Sequence, residues 1–478
     1  MVKNKRLDDD VFFGQRKDIL SLWHTGKEVD LDEAVAYHKN LSGERNTVRK
    51  LKRGTEENVI FTTTGMGKST VDEQIELLQF VEREAGAGLL AISPDSLTRY
   101  NRFEEVQEHM EESERTGESK LNGVPVVNIG VSGLRRIVES VNSPVALRGG
   151  MPDGRLLAEI LFAGGSSQNG PDLMMDFWQH SAKVPYEFVV ETHQYIGRLM
   201  GYYEERGVPM MTGCQGFYGA GIPPSLQAAN IIISSLLLAE QGVKNIGVVC
   251  AAHGNLVQDV ASATARTEAV DYYLKKFGYN DVWLSKNLSF CLMAYPADLA
   301  QSLAVMFMNT LMARLVGSIS NDVRTVAEAK AIPTKEDIAD TYRIAQVIQN
   351  FIQTQKVEVD REALALEKAM EEKEIKAIVD KVLEFGDGDI LVGAAKAIET
   401  GVLDNPFAAN RAAAGKVLGV KDSEGAVRYF ETGNLPFTKE IIDYHKEKIA
   451  ERERKQGKKV GYDTLVNDLY SISKGYLV

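Results

Sequence analysis

Residues 245–251 read Asn-Ile-Gly-Val-Val-Cys-Ala, a nearly continuous apolar run on which the choice of fold class rests. Such a run predicts a strand that is buried on both faces, as strands are in parallel sheets. Residues 258–277 follow with the amphipathic pattern of a helix. Together they predict one strand–helix unit of an α/β fold.

The same unit recurs along the chain. Further strands are predicted at Asn58–Thr62, Gly88–Ile92, Pro125–Ile129, Pro144–Leu147, Pro209–Gly213, Val282–Leu284 and Ala313–Ile319, with another near Leu161. Helices are predicted between them at Val71–Glu84, Leu134–Val141, Leu156–Phe162, Glu187–Glu205 and Leu226–Gln241. Alternation over roughly 290 residues favours a (β/α)8 TIM-type barrel, which typically needs about 250. A doubly wound open sheet is the alternative topology.

The pattern changes on either side of the barrel. Residues 1–50 are polar and helix-prone, which predicts an N-terminal helical arm. The barrel itself is assigned to residues 51–355. Residues 356–478 predict a C-terminal α+β extension, in which 361–385 form a charged helix rich in Glu and Lys.

Composition and charge exclude several classes of protein. The 478 residues carry a net charge of −12, and no basic cluster suits nucleic acid. Three cysteines without a Cys-x-x-Cys pair argue against a disulfide framework or a zinc site and favour a reducing cytoplasm. The most apolar window, 299–319, contains Gln301, Asn309 and Arg314, so no membrane span is expected. No apolar stretch follows the charged N-terminus, so we expect a cytoplasmic protein without a signal peptide.

Residues 62–69, Thr-Thr-Thr-Gly-Met-Gly-Lys-Ser, resemble a phosphate-binding loop between a strand and a helix. The first glycine of that motif is replaced by Thr62, which weakens the backbone cradle for a phosphate. The alternative interpretation is a barrel loop that leads into a capped helix, because Thr70 and Glu73 have capping-box spacing. A nucleotide-binding protein is therefore retained only as a third hypothesis.

Two arginines follow predicted strands directly. Arg99 comes after 88–92, and Arg148 comes after 144–147 and precedes Gly149 and Gly150. In a barrel these positions lie at the carboxyl ends of the strands, where active sites are built. An arginine there can bind a carboxylate or phosphate through two hydrogen bonds. The alternative is a pair of surface or salt-bridging arginines.

The histidines and cysteines give no catalytic pattern. No two histidines have metal-ligand spacing, and no Ser or Cys occupies a nucleophile elbow. His253 follows a strand and is a candidate to face the barrel mouth. Acyl transfer and zinc hydrolysis are therefore not expected, no metal ligand is assigned, and no residue is assigned as catalytic.

Several motifs give the chain a family resemblance. They are Thr-Gly-Lys-Glu-Val-Asp-Leu at 25–31, Thr-Arg-Tyr-Asn-Arg at 98–102, Pro-Asp-Gly-Arg-Leu-Leu-Ala-Glu at 152–159, Ala-Glu-Gln-Gly-Val-Lys-Asn at 239–245, Gly-Tyr-Asn-Asp-Val at 278–282, Ile-Pro-Thr-Lys-Glu at 332–336, Glu-Thr-Gly-Val at 399–402 and Gly-Asn-Leu-Pro-Phe at 433–437. With them the chain resembles, nearly end to end, the large (epsilon) subunit of glutamate mutase, also called methylaspartate mutase. The resemblance implies a (β/α)8 barrel and an isomerase that depends on adenosylcobalamin.

The resemblance also implies partners. In the family, cobalamin binds between the barrel mouth and a separate small subunit, whose Asp-x-His-x-x-Gly motif supplies the histidine that ligates cobalt. This chain lacks that motif. The implied assembly is a homodimer of large subunits with two small subunits, and the implied reaction is a radical carbon-skeleton rearrangement of a small carboxylic acid. The cofactor supplies the radical chemistry and the protein positions it.

The family's substrate residues fall on this chain unevenly. Of three arginines that bind the substrate carboxylates, two correspond to Arg99 and Arg148, and the third falls on Gly65. The glutamate that meets the substrate amine falls on Gly170. Two tyrosines that contact the substrate fall on the residues Asp176 and His180.

The cofactor-side positions are better matched. Gly67, Asn122 and Glu328 keep the family residue, and a lysine near the adenosine ribose falls on Arg324.

These differences lead to two hypotheses for the substrate pocket. The first is a cobalamin-dependent mutase whose substrate is shifted from glutamate to a related small acid, with Asp176 replacing the amine contact and His180 meeting a carboxylate or hydroxyl. The alternative is a homologue without catalytic activity, a regulatory barrel.

Overall fold

A computed structural model describes residues 1–170 and 172–478. The strands of these ranges, numbered in chain order, are β1 (Phe61–Thr63), β2 (Gly65–Met66), β3 (Leu90–Ile92), β4 (Val145–Leu147), β5 (Gln168–Asn169), β6 (Met211–Cys214), β7 (Asn245–Ala252), β8 (Trp283–Phe290), β9 (Ser320–Asp322), β10 (Val417–Lys421) and β11 (Val427–Thr432).

The helices surround these strands. They are α1 (Asp9–Ser21), α2 (Leu31–Asn40), α3 (Thr47–Glu56), α4 (Val71–Ala85), α5 (Ser96–Arg99), α6 (Phe103–Thr116), α7 (Val126–Glu139), α8 (Arg155–Ala163), α9 (Leu173–His180), α10 (Tyr186–Glu204), α11 (Pro224–Glu240), α12 (Leu256–Lys276), α13 (Leu299–Leu315), α14 (Lys335–Ile352), α15 (Arg361–Phe385), α16 (Ile390–Glu399), α17 (Lys439–Gln456) and α18 (Tyr462–Tyr470). Short 3-10 helices lie at His24–Glu28, Gly43–Arg45 and Ile472–Lys474. None of the described helices is both long enough and apolar enough to cross a membrane.

Strands β1 to β9 pair only in parallel within the described ranges. One curled sheet has the order β1-β9-β8-β7-β6-β5, and a second has the order β2-β3-β4. Strands β1 and β2 follow one another along the chain with Thr64 between them, so the two sheets share this edge. At the other edge, β4 lies beside β5. The predicted α/β class with buried parallel strands is confirmed.

Three strand predictions are wrong. Residues 125–129 lie almost wholly in α7, residues around Leu161 lie in α8, and 313–319 cover the end of α13 and the turn that precedes β9. Each segment is rich in apolar residues, and such a segment fits a buried helix as well as a buried strand. The short polar strand β5 has no apolar run and was not predicted.

The terminal regions contain the predicted types of structure. Helices α1 to α3 occupy the N-terminal part, and Arg16 of α1 binds the buried carboxylate of Glu159 at 3.0 Å, which fixes α1 to α8. The predicted charged helix at 361–385 is confirmed as α15. Strands β10 and β11 form an antiparallel hairpin that packs with α17 and α18.

One buried carboxylate organises the loops beside the strand ends. Asp172 begins α9 and accepts a hydrogen bond from the amide of Met174 at 3.0 Å. It also accepts from the hydroxyl of Ser234 on α11 at 2.6 Å, and from the amides of Gln215 and Gly216 after β6. Burial raises the pKa of this carboxyl group. Asp172 therefore ties α9, α11 and the loop after β6 into one unit.

We expect the Asp172→Ala variant to lower the free energy of unfolding by about 3 kcal/mol or more, because several buried donors lose their acceptor. Asp360 is the matched control, since it also caps a helix through two backbone amides but is exposed. Asp360→Ala should cost about 1 kcal/mol. Equilibrium unfolding in urea, followed by circular dichroism, measures both. Equal losses would contradict the organising role of Asp172.

Candidate active site

A cavity of about 410 Å³ opens at the carboxyl ends of the parallel strands. This is the face on which enzymes of this architecture build their active sites. The charged lining residues are Arg99, Arg148, Asp322 and Arg324, and His180 also lines the cavity. The amide side chains in the lining are Gln168, Asn169, Gln179, Gln215 and Asn287. The cavity is thus polar, has more basic than acidic side chains, and has the size of a small-molecule site.

Arg99 is the charged residue of this lining that is left without an acidic partner. It ends the short helix α5, whose first turn is capped by Asp95 through the amides of Leu97 and Thr98. Its Nε donates to the carbonyl of Pro94 at 3.1 Å, and in the described part of the chain its guanidinium forms no ion pair. Burial, and then repulsion from Arg148, lower its pKa. A half-buried, uncompensated guanidinium is a binding site for an anion.

Arg148 is in a different electrostatic state, although it lies in the same cavity. Its Nε and Nη2 donate to the two carboxylate oxygens of Asp322 at 3.1 and 2.9 Å. Burial alone would lower its pKa, but the charge and hydrogen bonds of Asp322 raise it. Arg148 is therefore neutralised by a partner of its own, and its Nη1 is the guanidinium nitrogen left over.

Gly65 lies directly beside Arg148. A Cβ atom on Gly65 would be 2.9 Å from Nη1 of Arg148 and 2.7 Å from the hydroxyl of Ser93. The three positions to which the resemblance assigns substrate-binding arginines thus lie close together, since Arg99 is next to Arg148. A side chain at position 65 would require Arg148 and Ser93 to shift, because Arg148 extends past Gly65 to Asp322.

Gly170 has no room for a side chain. A Cβ atom there would overlap the carbonyl oxygen of Gly149 at the end of β4. The carbonyl of Gly170 also accepts a hydrogen bond from Thr212 at 2.8 Å, which holds the backbone in place. A carboxylate at this position would require the two strand ends to move apart. The backbone at position 170 therefore excludes the glutamate that the resemblance places there.

Asp176 and His180 lie on one helix and form a network with a third residue. His180 lines the cavity, and its Nδ1 is 2.8 Å from Oδ1 of Asp176. The other oxygen of Asp176 is 3.0 Å from Nε2 of His193, and the amide of Met151 also donates to Oδ1. Burial alone would raise the pKa of Asp176, but the two histidines lower it below its ordinary value. Asp176 is thus an ionised, buried support for His180 and does not line the cavity.

The four positions expected on the cofactor side fall into two neighbouring pairs. Arg324 and Glu328 form a half-exposed ion pair of 3.1 Å, and Arg324 also lines the cavity. Asn122 is exposed and its Oδ1 accepts from the amide of Ser96 at 2.9 Å. A Cβ on Gly67 would be 2.6 Å from the Cα of Gly123. Gly67 and Asn122 therefore lie on neighbouring segments.

The loop 62–69 does not have the free groups of a phosphate-binding loop. The hydroxyl of Ser69 is 2.7 Å from that of Ser119 and accepts from the amide of Leu121 at 2.8 Å. Thr70 caps α4 by accepting from the amide of Glu73, as the capping interpretation predicts. The hydroxyl that would bind a magnesium ion is buried and used within the protein.

His253 does not reach the cavity. It is buried, and burial lowers its pKa to about 3. Within residues 1–170 and 172–478, no group of His, Cys, Asp or Glu side chains is arranged to hold a metal ion.

Sequence reasoning missed the acidic partner in the cavity. Asp322 lies at the end of β9, just beyond the apolar run from which a strand was predicted too early. The five amide side chains of the lining were also missed, because isolated Asn and Gln residues form no recognisable sequence pattern. A polar residue that directly follows a correctly bounded strand would have been the signal for Asp322.

The family model described as Methylaspartate mutase E chain (MutE) matches residues 41–478. The glutamate mutase epsilon subunits of Treponema denticola and Desulfitobacterium hafniense are both 38% identical over 477 residues. These alignments cover 100% and 99% of this chain and 98% of each relative. The glutamate mutase epsilon subunit of Yersinia enterocolitica is 34% identical, with 100% of this chain and 99% of the relative covered.

We expect the Asp322→Asn variant to bind succinate about tenfold or more tightly than the unmodified chain, because Arg148 would gain a free charge and a charge-assisted hydrogen bond is worth about 1.5–3 kcal/mol. Isothermal titration calorimetry at fixed ionic strength measures the affinity. Asp153→Asn is the matched control, since Asp153 pairs with Arg155 at 2.7 Å and is equally half-buried but lies outside the cavity. Equal affinities of the two variants would show that Arg148 does not contact the ligand.

Proposed function

The chain belongs to the methylaspartate mutase E chain family, and from this membership we propose that it is the large subunit of an adenosylcobalamin-dependent carbon-skeleton mutase. This makes it an isomerase that acts on a small carboxylic acid. The structural observation that carries the proposal is Arg99, whose guanidinium forms no ion pair with the described residues and lies in a polar cavity at the carboxyl ends of parallel strands.

The proposed architecture is one closed (β/α)8 barrel formed from both sheets. Strands β1 and β2 count as one strand path that pairs with β9 on one side and β3 on the other. With β4 beside β5, the ring then has eight members, and the cavity lies at its C-terminal mouth. In this proposal residues 1–50 are the arm, 51–355 the barrel and 356–478 the extension.

Asn122, Arg324 and Glu328 fit a large cofactor that carries amide and ribose groups. Asn122 exposes a side-chain amide, while Arg324 and Glu328 expose a pair of charges that can exchange partners with hydroxyl groups. We assign Gly67 to the same cofactor because it packs against Gly123, the neighbour of Asn122. When bound, adenosylcobalamin supplies the radical chemistry, and this chain's residues hold the substrate and exclude water around it.

A partner subunit is part of the proposal. The relatives are named as epsilon subunits, which supports an assembly with other chains. Because this chain has no Asp-x-His-x-x-Gly motif, we assign the cobalt-ligating histidine to a small partner subunit. The proposed assembly is a homodimer of large subunits with two small ones.

We further propose that the substrate differs from glutamate. Gly65 lacks the third guanidinium, and Gly170 lacks the carboxylate that would meet an amine. Charge-assisted hydrogen bonds contribute about 1.5–3 kcal/mol each, so losing both contacts would weaken glutamate binding by a hundredfold or more. The Arg148–Asp322 pair adds to the difference because it removes a second guanidinium from carboxylate binding.

The test mixes the full-length chain with the small cobalamin-binding subunit of a relative and adenosylcobalamin, then adds candidate acids. Electron paramagnetic resonance should detect a substrate-dependent cobalt signal. Arg99→Gln should lower kcat/KM by about ten- to a hundredfold. Arg454→Gln, which changes an exposed arginine of α17, should leave it unchanged.

Two outcomes would contradict the proposal. Absence of a signal with every acid, in an assembly that forms, would favour the non-catalytic, regulatory barrel. A signal that requires glutamate and is given by no other acid would contradict the shift of substrate.

A further inference from the structure

The charges around the cavity do not provide a place for an ammonium group. Asp322 is the acidic side chain among the described lining residues, and both of its oxygens accept from Arg148. The carboxylate of Asp176 is buried behind His180, and its oxygens accept from His180 and His193. An ammonium group in the cavity would therefore meet guanidinium groups and no free carboxylate.

The backbone also leaves no room at position 170 for an acidic side chain that could bind an ammonium group. Position 170 points at the carbonyl of Gly149, so no acidic side chain fits there. The neutral amides of the lining can accept hydrogen bonds, but they do not offset the positive charge of Arg99. The cavity as built disfavours an amino acid and favours an anion.

His180 offers a second contact for an anion in the cavity, in addition to Arg99. Its Nδ1 is held by the ionised Asp176, so Nδ1 carries the proton that this hydrogen bond requires. Nε2 has no hydrogen-bond partner within residues 1–170 and 172–478, and His180 lines the cavity. In the doubly protonated ring both nitrogens are donors, so Nδ1 donates to Asp176 and Nε2 donates to an anion in the cavity.

We propose that the cavity binds a small dicarboxylic acid that carries no ammonium group, with one carboxylate on Arg99 and the other on Nε2 of His180. The inference rests on the proposed function, because it names the substrate class of the same cavity. In this scheme Asp176 and His193 are positioning residues, and His180 is the residue that determines specificity.

Isothermal titration calorimetry of the full-length chain with glutarate, glutamate and butyrate tests the substrate class. These acids have, in turn, two carboxylates, two carboxylates with an ammonium group, and one carboxylate. We expect glutarate to bind about tenfold or more tightly than either of the others at pH 6. Glutamate that binds as tightly as glutarate, or failure of glutarate to bind, would overturn the proposal.

Two variants separate the role of His180 from a structural one. In His180→Asn the side-chain amide takes the place of Nδ1 and can still donate to Asp176, while the group at Nε2 is gone. It should reduce glutarate affinity about ten- to a hundredfold and leave butyrate affinity unchanged. In His180→Gln the amide reaches the Nε2 position and can still donate a hydrogen bond, so glutarate affinity should fall less than in His180→Asn.

The control is His109→Gln, which changes a histidine of α6 outside the cavity lining. It should leave all three affinities unchanged. Unaltered glutarate binding in His180→Asn would overturn the assignment of His180. These measurements use no cobalamin, so their outcome is independent of the spectroscopic test. Dicarboxylate binding without a cobalt signal would contradict the proposed mutase activity but support the proposed ligand class. A cobalt signal without dicarboxylate binding would support the mutase activity but contradict the ligand class.

Discussion

Arg148 at the end of β4 donates two hydrogen bonds to Asp322 at the end of β9, and this ion pair spans β3 and the strand path β1–β2, which lie between those strands. Gly65 leaves room for the pair. Any side chain on Gly65 would contact the guanidinium of Arg148, so the missing side chain and the ion pair are two parts of one arrangement. A half-buried pair with two hydrogen bonds fixes the orientation of both partners, because the planar guanidinium matches the carboxylate in a single geometry.

The consequence is an unequal distribution of charge over neighbouring arginines. With Arg148 paired to Asp322, Arg99 is the arginine of this wall that has no acidic partner among the described residues. Close contact of Gly149 with Gly170 excludes an acidic side chain at position 170. The balance of charge in the cavity therefore depends on the backbone at Gly170 as well as on the charged side chains.

Much of this arrangement could be predicted, and the limits have physical causes. Arg99 and Arg148 were identifiable because a charged residue directly after a buried parallel strand lies at the carboxyl end of that strand. The ion pair was not, because Asp322 ends a strand that the apolar run at 313–319 suggested too early. Runs such as 125–129 were misassigned because apolar continuity reports burial and does not distinguish helix from strand. The burial of Asp176 depends on how α9 is oriented by Asp172, which is a tertiary property without a local pattern.

The helix α9 links the fold to the selectivity of the site. Asp172 fixes its first turn to α11 and to the loop after β6, while Asp176 and His180 lie one and two turns further along. Residues four apart share a helix face, so a rigid first turn sets the position of the imidazole at the cavity. Asp176 also binds His193 of α10 and the amide of Met151. The carboxylate that holds the imidazole of His180 is therefore itself fixed by two further segments of the protein. A site supported in this way can change its ligand through a few side chains on α9 while the parallel sheets behind it stay the same.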